Sequence, residues 1–280
     1  MADWRTRALR PLKLGRSRTA EAHHDEAPER EMDSRAAGNH APVENSVIDA
    51  AIYLNGRRRQ SLTSLSDTFG QLRRTPGSMA WIGLYRPTEV QLQSLAAEFG
   101  LHELVIEDAV VAHQRPKLER YGDTLFVVLR GARYLDDVEE VDFGELHVFI
   151  GEEYVITVRH GESPNLALVR RRMEDDPELL ARGPEAVLYA ILDTVVDGYA
   201  PVVAGLQNDI DEIETEVFGG EPNVSRRIYE LSREVIEFQR ATRPLIGMLH
   251  ALTRGVRQVR HRRGAAQLPA GRGRPRHDSG

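Results

Sequence analysis

The sequence contains no cysteine, which excludes disulfide bonds, thiolate metal sites and cysteine nucleophiles. Lysine is almost as scarce: the sequence has two, Lys13 and Lys117, among many arginines. This bias is typical of a GC-rich gene. The N-terminal segment has no apolar stretch typical of a secretory signal. No run of about 18 apolar residues is free of charge, so the sequence predicts no membrane-spanning helix. The nearest candidate, 184–205, carries three carboxylates, which favours an amphipathic helix of a soluble fold.

The remaining composition is that of a well-solvated globular protein. Of the 280 residues, 41% are hydrophobic and 29% are charged, which allows a large core. The formal net charge of −6 argues against nucleic-acid binding by the chain as a whole. Phosphate-loop, G-x-S-x-G and H-E-x-x-H motifs do not occur, so we predict that the chain is not an enzyme.

Residues 1–45 are predicted to be a disordered tail. They are rich in Arg, Glu, Ala, His and Asp and poor in β-branched and aromatic residues. His23, His24, Asp25 and Glu26 could chelate a metal weakly, although we favour a solvated tail.

Residues 46–183 predict an α/β domain with a mixed sheet. Strands rich in Ile, Val, Tyr and Trp alternate with short helices, a pattern typical of a layered α/β structure. The predicted strands are Val47–Asn55, Ser78–Arg86, Thr124–Tyr134, Val141–Ile150 and Tyr154–Arg159. One helix is predicted from Pro87 and Thr88 to Phe99, closed by Gly100, and a second over His102–Val111.

Residues 184–255 predict two long helices joined by a short turn. The first begins at Pro184 and runs to Phe218. In the second, apolar positions recur at steps of three and four, as in a coiled coil, and Pro244 is expected to kink it. These positions are Ile228, Leu231, Val235, Phe238, Leu245, Leu249 and Leu252, and polar Thr242 interrupts the series. Two such helices predict a long antiparallel hairpin.

The apolar periodicity ends at Gly255, and residues 256–280 are predicted to be a disordered tail rich in Arg, Gly and Pro. An arm that binds nucleic acid or anionic lipid is one interpretation. We favour another, because out-of-frame translation of GC-rich DNA yields this mixture of residues. A frame shifted by one nucleotide could encode an acidic helical continuation if the codons are suitable.

Six sequence blocks in a fixed order resemble the CorA-type transporters of divalent cations. The most recognisable is E-D-A-V-V-A-H-Q-R-P-K-L-E-R-Y-G-D-T-L-F-V-V-L-R, at Glu107–Arg130. The others are Trp81–Tyr85, Phe99–Asp108, Leu188–Tyr199, Asp209–Phe218 and Arg243–Leu249. The chain is therefore identified as a member of this family over about residues 47–254.

The resemblance implies an α/β/α sandwich with a mixed sheet, followed by a long antiparallel helical hairpin that forms a stalk. It also implies a homopentamer at the cytoplasmic face of the cell membrane that transports magnesium or cobalt. The family's pore loop is Gly-Met-Asn, whereas Gly247 and Met248 are followed here by Leu249. We therefore expect the cytosolic part of a transporter without its membrane helices, soluble in the cytoplasm on its own. A soluble oligomerising or metal-sensing module without transport activity is the alternative.

The resemblance further implies regulatory magnesium sites between neighbouring protomers, at which Glu107, Asp108 and Asp193 match the family's carboxylates. Mg²⁺ prefers oxygen ligands and keeps several waters, so one or two carboxylates suffice for a weak sensor. Glu107 and Asp108 diverge by about 100° around a helix, so a second protomer must complete the site. Asp193 and Asp197 lie on one helix face and repel each other. From spacing alone, solvated or capping carboxylates are the alternative.

We predict structural rather than metal-binding or catalytic roles for two further charged segments. The acidic run Asp209, Asp211, Glu212, Glu214 and Glu216 is predicted to be a solvated helix face. Residues 113–117 are predicted to connect a helix to a strand, with the basic side chains pairing with carboxylates.

Overall fold

The computed structural model describes residues 46–111 and 114–265, with side chains described up to residue 254 and not at Val111. The predicted N-terminal tail with its His-Asp-Glu cluster, His113 and residues 266–280 lie outside the described residues.

A mixed sheet of seven strands forms the centre of the described part of the chain. Its strand order is β2-β1-β3-β7-β6-β5-β4, and every neighbouring pair is antiparallel except β3 and β7. The strands are β1 (Val47–Leu54), β2 (Arg57–Leu62), β3 (Ser78–Tyr85), β4 (Lys117–Tyr121), β5 (Thr124–Leu135), β6 (Glu140–Ile150) and β7 (Tyr154–Arg159).

The central strands are buried on both faces. On β5, Phe126 and Val128 contribute to one core, and Val127 and Leu129 contribute to the other. Successive strand residues point to opposite faces, so the near-continuous apolar runs of β3, β5, β6 and β7 require cover on both sides.

Three helices cover the face that includes Phe126: α1 (Leu65–Arg74), α2 (Glu89–Phe99) and α3 (Glu103–Val111). A capping box formed by Thr88 and Gln91 begins α2, and Gly100 ends it with a left-handed backbone (φ 64°) that favours glycine. The start and end predicted for this helix from the sequence are therefore confirmed.

Five helices lie on the opposite side: α4 (Leu166–Glu174), α5 (Pro177–Leu180), α6 (Pro184–Asp197), α7 (Tyr199–Gly219) and α8 (Val224–Ala265). Helix layers on both faces of a mixed sheet confirm the predicted α/β/α sandwich, and a long C-terminal helix follows it.

The five strands predicted from the sequence are all present, but β2 and β4 were missed. Both are the edge strands of the sheet, and their sequences, R-R-R-Q-S-L and K-L-E-R-Y, lack apolar alternation. Charged side chains on an edge strand discourage pairing with another chain, and they also hide the strand from pattern analysis.

The single helix predicted from Pro184 to Phe218 is two helices, α6 and α7, which meet at Gly198. Residues 184–197, which the sequence analysis placed in the stalk, pack on β5, β6 and β7 through Val187, Ile191 and Val195. Within the described residues, Pro184–Gly219 is the one helical segment long and apolar enough to cross a membrane, a test that core helices of soluble proteins also pass.

The buried face of α8 differs in part from the predicted seam. Ala241, Leu245 and Met248 are buried, whereas Ile228 and Leu249 are exposed. The face of a straight helix drifts relative to a strict seven-residue repeat, and α8 packs on β4 and β5 as well as on α7. Packing against both α7 and the sheet therefore decides which stripe is covered.

Helix α8 continues past Gly255, where the apolar periodicity ends, to Ala265, and Pro244 lies inside it. Near its start, Arg227 pairs with Glu212 and Glu216 of α7 and with Glu139 of the β5–β6 turn. Further along, Phe238 of α8 packs edge-on against Tyr199, with the ring centroids 5.4 Å apart.

We predict that Met248→Ala lowers the free energy of unfolding by about 2 kcal/mol, because it leaves a cavity at a side chain that is 6% exposed. Leu249→Ala should change it by less than about 0.5 kcal/mol, because Leu249 is 38% exposed. Urea unfolding of both variants measures the difference. An equal loss of unfolding free energy for Leu249→Ala would show that the seam predicted from the sequence is the buried face of α8.

Candidate functional site

Glu107 and Asp108 lie on the outer side of α3. The helix buries Val105, Ile106 and Ala109 against the sheet, so the two carboxylates point away from the core. Glu107 is exposed and borders a groove of ≈ 550 Å³ between α2 and α3. Glu89 and Glu103 also line this groove, which therefore has an acidic rim.

Asp108 already has a cationic partner in the same chain. Lys117 Nζ lies 2.7 Å from Asp108 Oδ2 and 2.9 Å from Glu119 Oε2. Partial burial lowers the pKa of Lys117, but its hydrogen bonds to these two carboxylates outweigh that effect and raise the pKa above its ordinary value. A metal ion that binds Asp108 must therefore compete with Lys117 or use the other carboxylate oxygen. The predicted pairing of the basic side chains with carboxylates is confirmed for Lys117.

Asp193 lies half-buried on α6, one turn before Asp197. Burial raises the pKa of Asp193, the charge of Asp197 raises it further, and Arg172 opposes both effects. The ionised carboxylate is therefore disfavoured by its surroundings, and a bound cation would relieve this cost.

The sheet lies between the two groups of carboxylates within one chain. Helix α3 packs on the face that includes Phe126 and Val128, and α6 packs on the face that includes Val127 and Leu129. Mg²⁺–oxygen distances are about 2.1 Å, so one ion cannot be held from both layers of the same chain. Among the described residues, no three His, Asp or Glu side chains are placed to hold a metal ion together.

The acidic run of α7 is not the uniformly solvated face predicted from the sequence. Asp209 is 5% exposed and accepts a 2.5 Å hydrogen bond from Tyr134 Oη, while Glu212 and Glu216 pair with Arg227. A Cβ at Gly205 would clash with the ring of Tyr134, so this glycine lets the ring approach α7. The glycine one turn before Asp209 is the one sequence signal that could have indicated this contact.

A buried polar cluster joins α4 to the sheet and was also missed. Arg170 Nη1 donates to the carbonyl oxygen of Trp81 at 3.2 Å, and its guanidinium lies 4.4 Å from the centre of the Trp81 ring. Asp49 pairs with Arg170 at 3.3 Å and also with Arg58. Arg170 is the first of three consecutive arginines in α4, and the sequence gives no sign of which of the three is buried.

Comparison with known protein families identifies the relationship. The family described as "CorA-like Mg2+ transporter protein" matches residues 76–267, more than half of the chain. The chain belongs to this CorA-like family. The family is one of metal ion transporters and not of enzymes.

Two curated relatives are similar to this CorA-like chain. The cobalt/magnesium transport protein CorA of Thermotoga maritima is 28% identical over 188 residues, which cover 65% of this chain and 53% of that protein. The magnesium transporter ALR1 of Saccharomyces cerevisiae is 29% identical over 161 residues, which cover 56% of this chain and 18% of that protein. The chain thus spans about half the length of the bacterial relative.

A solved structure supports the fold. The soluble domain of CorA from Methanocaldococcus jannaschii superposes with a TM-score of 0.54 at 17% sequence identity, covering 70% of this chain and 75% of that one. At this identity the likeness concerns the fold.

We predict that Asp193→Asn stabilises the chain at neutral pH by roughly 0.2–0.5 kcal/mol, because it removes a partly buried charge that Asp197 also repels. The folded-state pKa of Asp193 is raised, so the wild type loses stability as the pH rises through that pKa. The gain from the substitution should therefore vanish at lower pH, where Asp193 is protonated as well.

Thermal unfolding between pH 4 and pH 8 checks this prediction. Asp211→Asn, an exposed carboxylate on α7, is the control with the same change in net charge. Destabilisation by Asp193→Asn at pH 7 would show that the ionised carboxylate makes favourable bonds in the fold.

Proposed function

We propose that this chain is the cytosolic, metal-sensing part of a CorA-type transporter of divalent cations, with magnesium as the principal ion. The observation that carries the proposal is the family match over residues 76–267, which includes helices α2 to α8, from both layers, and all three candidate carboxylates. The two curated relatives are named as magnesium or cobalt/magnesium transporters, which supports magnesium and, second to it, cobalt as the transported ions.

In this proposal, Glu107 and Asp108 of one copy and Asp193 of a second copy bind hydrated Mg²⁺ between them. Three features support it: Glu107 is exposed, the Asp108 side chain is 25% exposed, and Asp193 is electrostatically unfavourable without a cation. Retained waters would bridge gaps that the carboxylates cannot close. The site would be weak and reversible, as a sensor of millimolar ions requires.

Self-association is part of the proposal, with five copies as the family resemblance implies. A row of exposed apolar side chains supports it, because they recur every seven residues along α6 and α7. The row consists of Tyr189, Val196, Val203, Ile210 and Val217, each between 42% and 61% exposed. Seven-residue spacing is typical of a seam between helices of different chains.

In this proposal the domain lies at the cytoplasmic face of the cell membrane. None of the helices that the structure describes forms the pore. Helices α6 and α7 contribute Ile191, Val202 and Leu206 to the core of the sandwich, so crossing a membrane would remove them from it. An ion path through these helices would therefore cost the fold much of its core.

A magnesium titration followed by sedimentation velocity and thermal unfolding tests the proposal. We expect millimolar Mg²⁺ to raise both the sedimentation coefficient and the melting temperature of the wild type. Asp108→Asn should weaken the response about tenfold in Mg²⁺ concentration, because a ligand is lost. Lys117→Gln should strengthen it roughly two- to fivefold, because Lys117 no longer competes for Asp108.

Glu185→Gln, an exposed carboxylate in the first turn of α6, is the matched control and should respond as the wild type does. The metal-sensing proposal fails if Mg²⁺ changes neither observable, or if Glu185→Gln weakens the response as much as Asp108→Asn does.

A further inference from the structure

A second cavity lies at one end of the sheet, and none of the three candidate carboxylates lines it. It is bounded by α1, the C-terminal end of α2, the β4–β5 turn and the β6–β7 turn, and its volume is ≈ 530 Å³. The cavity is open to solvent on one side, and its volume lies in the range of small-molecule sites.

Half-buried aromatic side chains form its walls. Phe69 packs edge-on against Phe99 with ring centroids 5.3 Å apart, and Phe99 packs in the same way against Tyr154 at 5.1 Å. Across the cavity, Tyr121 lies 5.2 Å from the ring of His102. Each of the Phe and Tyr rings is partly accessible to solvent.

A cation already lies on one of these rings. The guanidinium carbon of Arg73 is 5.1 Å from the centre of the Phe69 ring. Aromatic faces carry negative potential and attract cations at this distance, so the wall suits positively charged ligands.

Three exposed carboxylates, Asp123, Glu152 and Glu153, line the same cavity. Within the described part of the chain, none of the three side chains forms an ion pair or a hydrogen bond. The basic groups are fewer: Arg73 lies over Phe69, and His102 Nδ1 accepts a hydrogen bond from the Leu104 amide. The surplus of negative charge disfavours an anionic ligand.

The turns beside the cavity leave room for a ligand. Gly100 and Gly122 have positive φ angles of 64° and 57°, and a Cβ at either would meet no atom within 4 Å. Thr124 Oγ1 and Tyr154 Oη, 2.7 Å apart, add a pair of hydroxyl groups that can accept hydrogen bonds from an ammonium group.

We propose that this cavity binds an organic polycation of the aliphatic polyamine class. Its ammonium groups would pair with the rim carboxylates, while its methylene chain and remaining charge lie along the aromatic walls. A hydrated Mg²⁺ ion fits less well, because it needs oxygen ligands on several sides and gains little from ring faces. The proposal concerns a ligand and a site separate from the magnesium sensor.

Calorimetric titration of the full chain with spermidine, at fixed physiological ionic strength, tests this site. We expect saturable binding that Asp123→Asn and Glu153→Gln each weaken about three- to fivefold. Phe69→Leu should weaken it about fivefold or more, because it removes a ring face. The two carboxylate variants change exposed side chains, so they keep the test valid if Phe69→Leu fails to fold.

Asp137→Asn, in the β5–β6 turn at the other end of the sheet, is the matched charge control and should bind spermidine as the wild type does. Asp193→Asn, in the helix layer on the opposite face of the sheet, should also leave spermidine binding unchanged, which separates this site from the magnesium sensor. The proposal is overturned if no saturable binding occurs, if Asp137→Asn weakens binding as much as Asp123→Asn, or if inorganic phosphate binds in place of spermidine.

Discussion

Burial of the sheet on both faces is the constraint on which the rest of this structure depends. The apolar strands β3, β7, β6 and β5 cannot leave either face in water, so helices must cover both. That requirement places α3 in one layer and α6 in the other. It therefore separates Glu107 and Asp108 from Asp193 within one chain, and any ion that they share must lie between two copies.

Local charge interactions then adjust what each carboxylate can do. Lys117 holds Asp108 in place within the chain, so in the proposed site Mg²⁺ would compete with this ammonium group for the carboxylate. Asp193 has the opposite situation, because burial and Asp197 disfavour its charge. One half of the proposed site is neutralised in advance and the other half gains from a cation, a combination suited to a weak and reversible response.

Much of the sandwich follows from the sequence, because its central strands are rich in β-branched residues and α2 carries clear signals at both ends. The edge strands β2 and β4 do not follow from the sequence. Their charged residues protect an exposed edge, and they give each strand the composition of a loop. Helical periodicity predicted where α8 lies but not which of its faces is buried. Two neighbouring stripes of the helix, one through residues 242 and 249 and the other through residues 241 and 248, both fit steps of three and four. Likewise, the burial of Asp209 depends on Tyr134, which lies 75 residues away in the chain. Such pairings are set by tertiary packing, which periodicity does not encode.

Spin-label distance measurements test most directly whether the carboxylates meet only between copies. The chain has no cysteine, so single cysteines at Val110 and Ala200 can be labelled selectively near the two groups of carboxylates without altering them. The account predicts that a doubly labelled chain, diluted with unlabelled protein, shows one long distance that Mg²⁺ does not change. A mixture of the two singly labelled chains should gain a shorter distance when Mg²⁺ is added. A short distance within the diluted chain, or no effect of Mg²⁺ on the mixture, would contradict it.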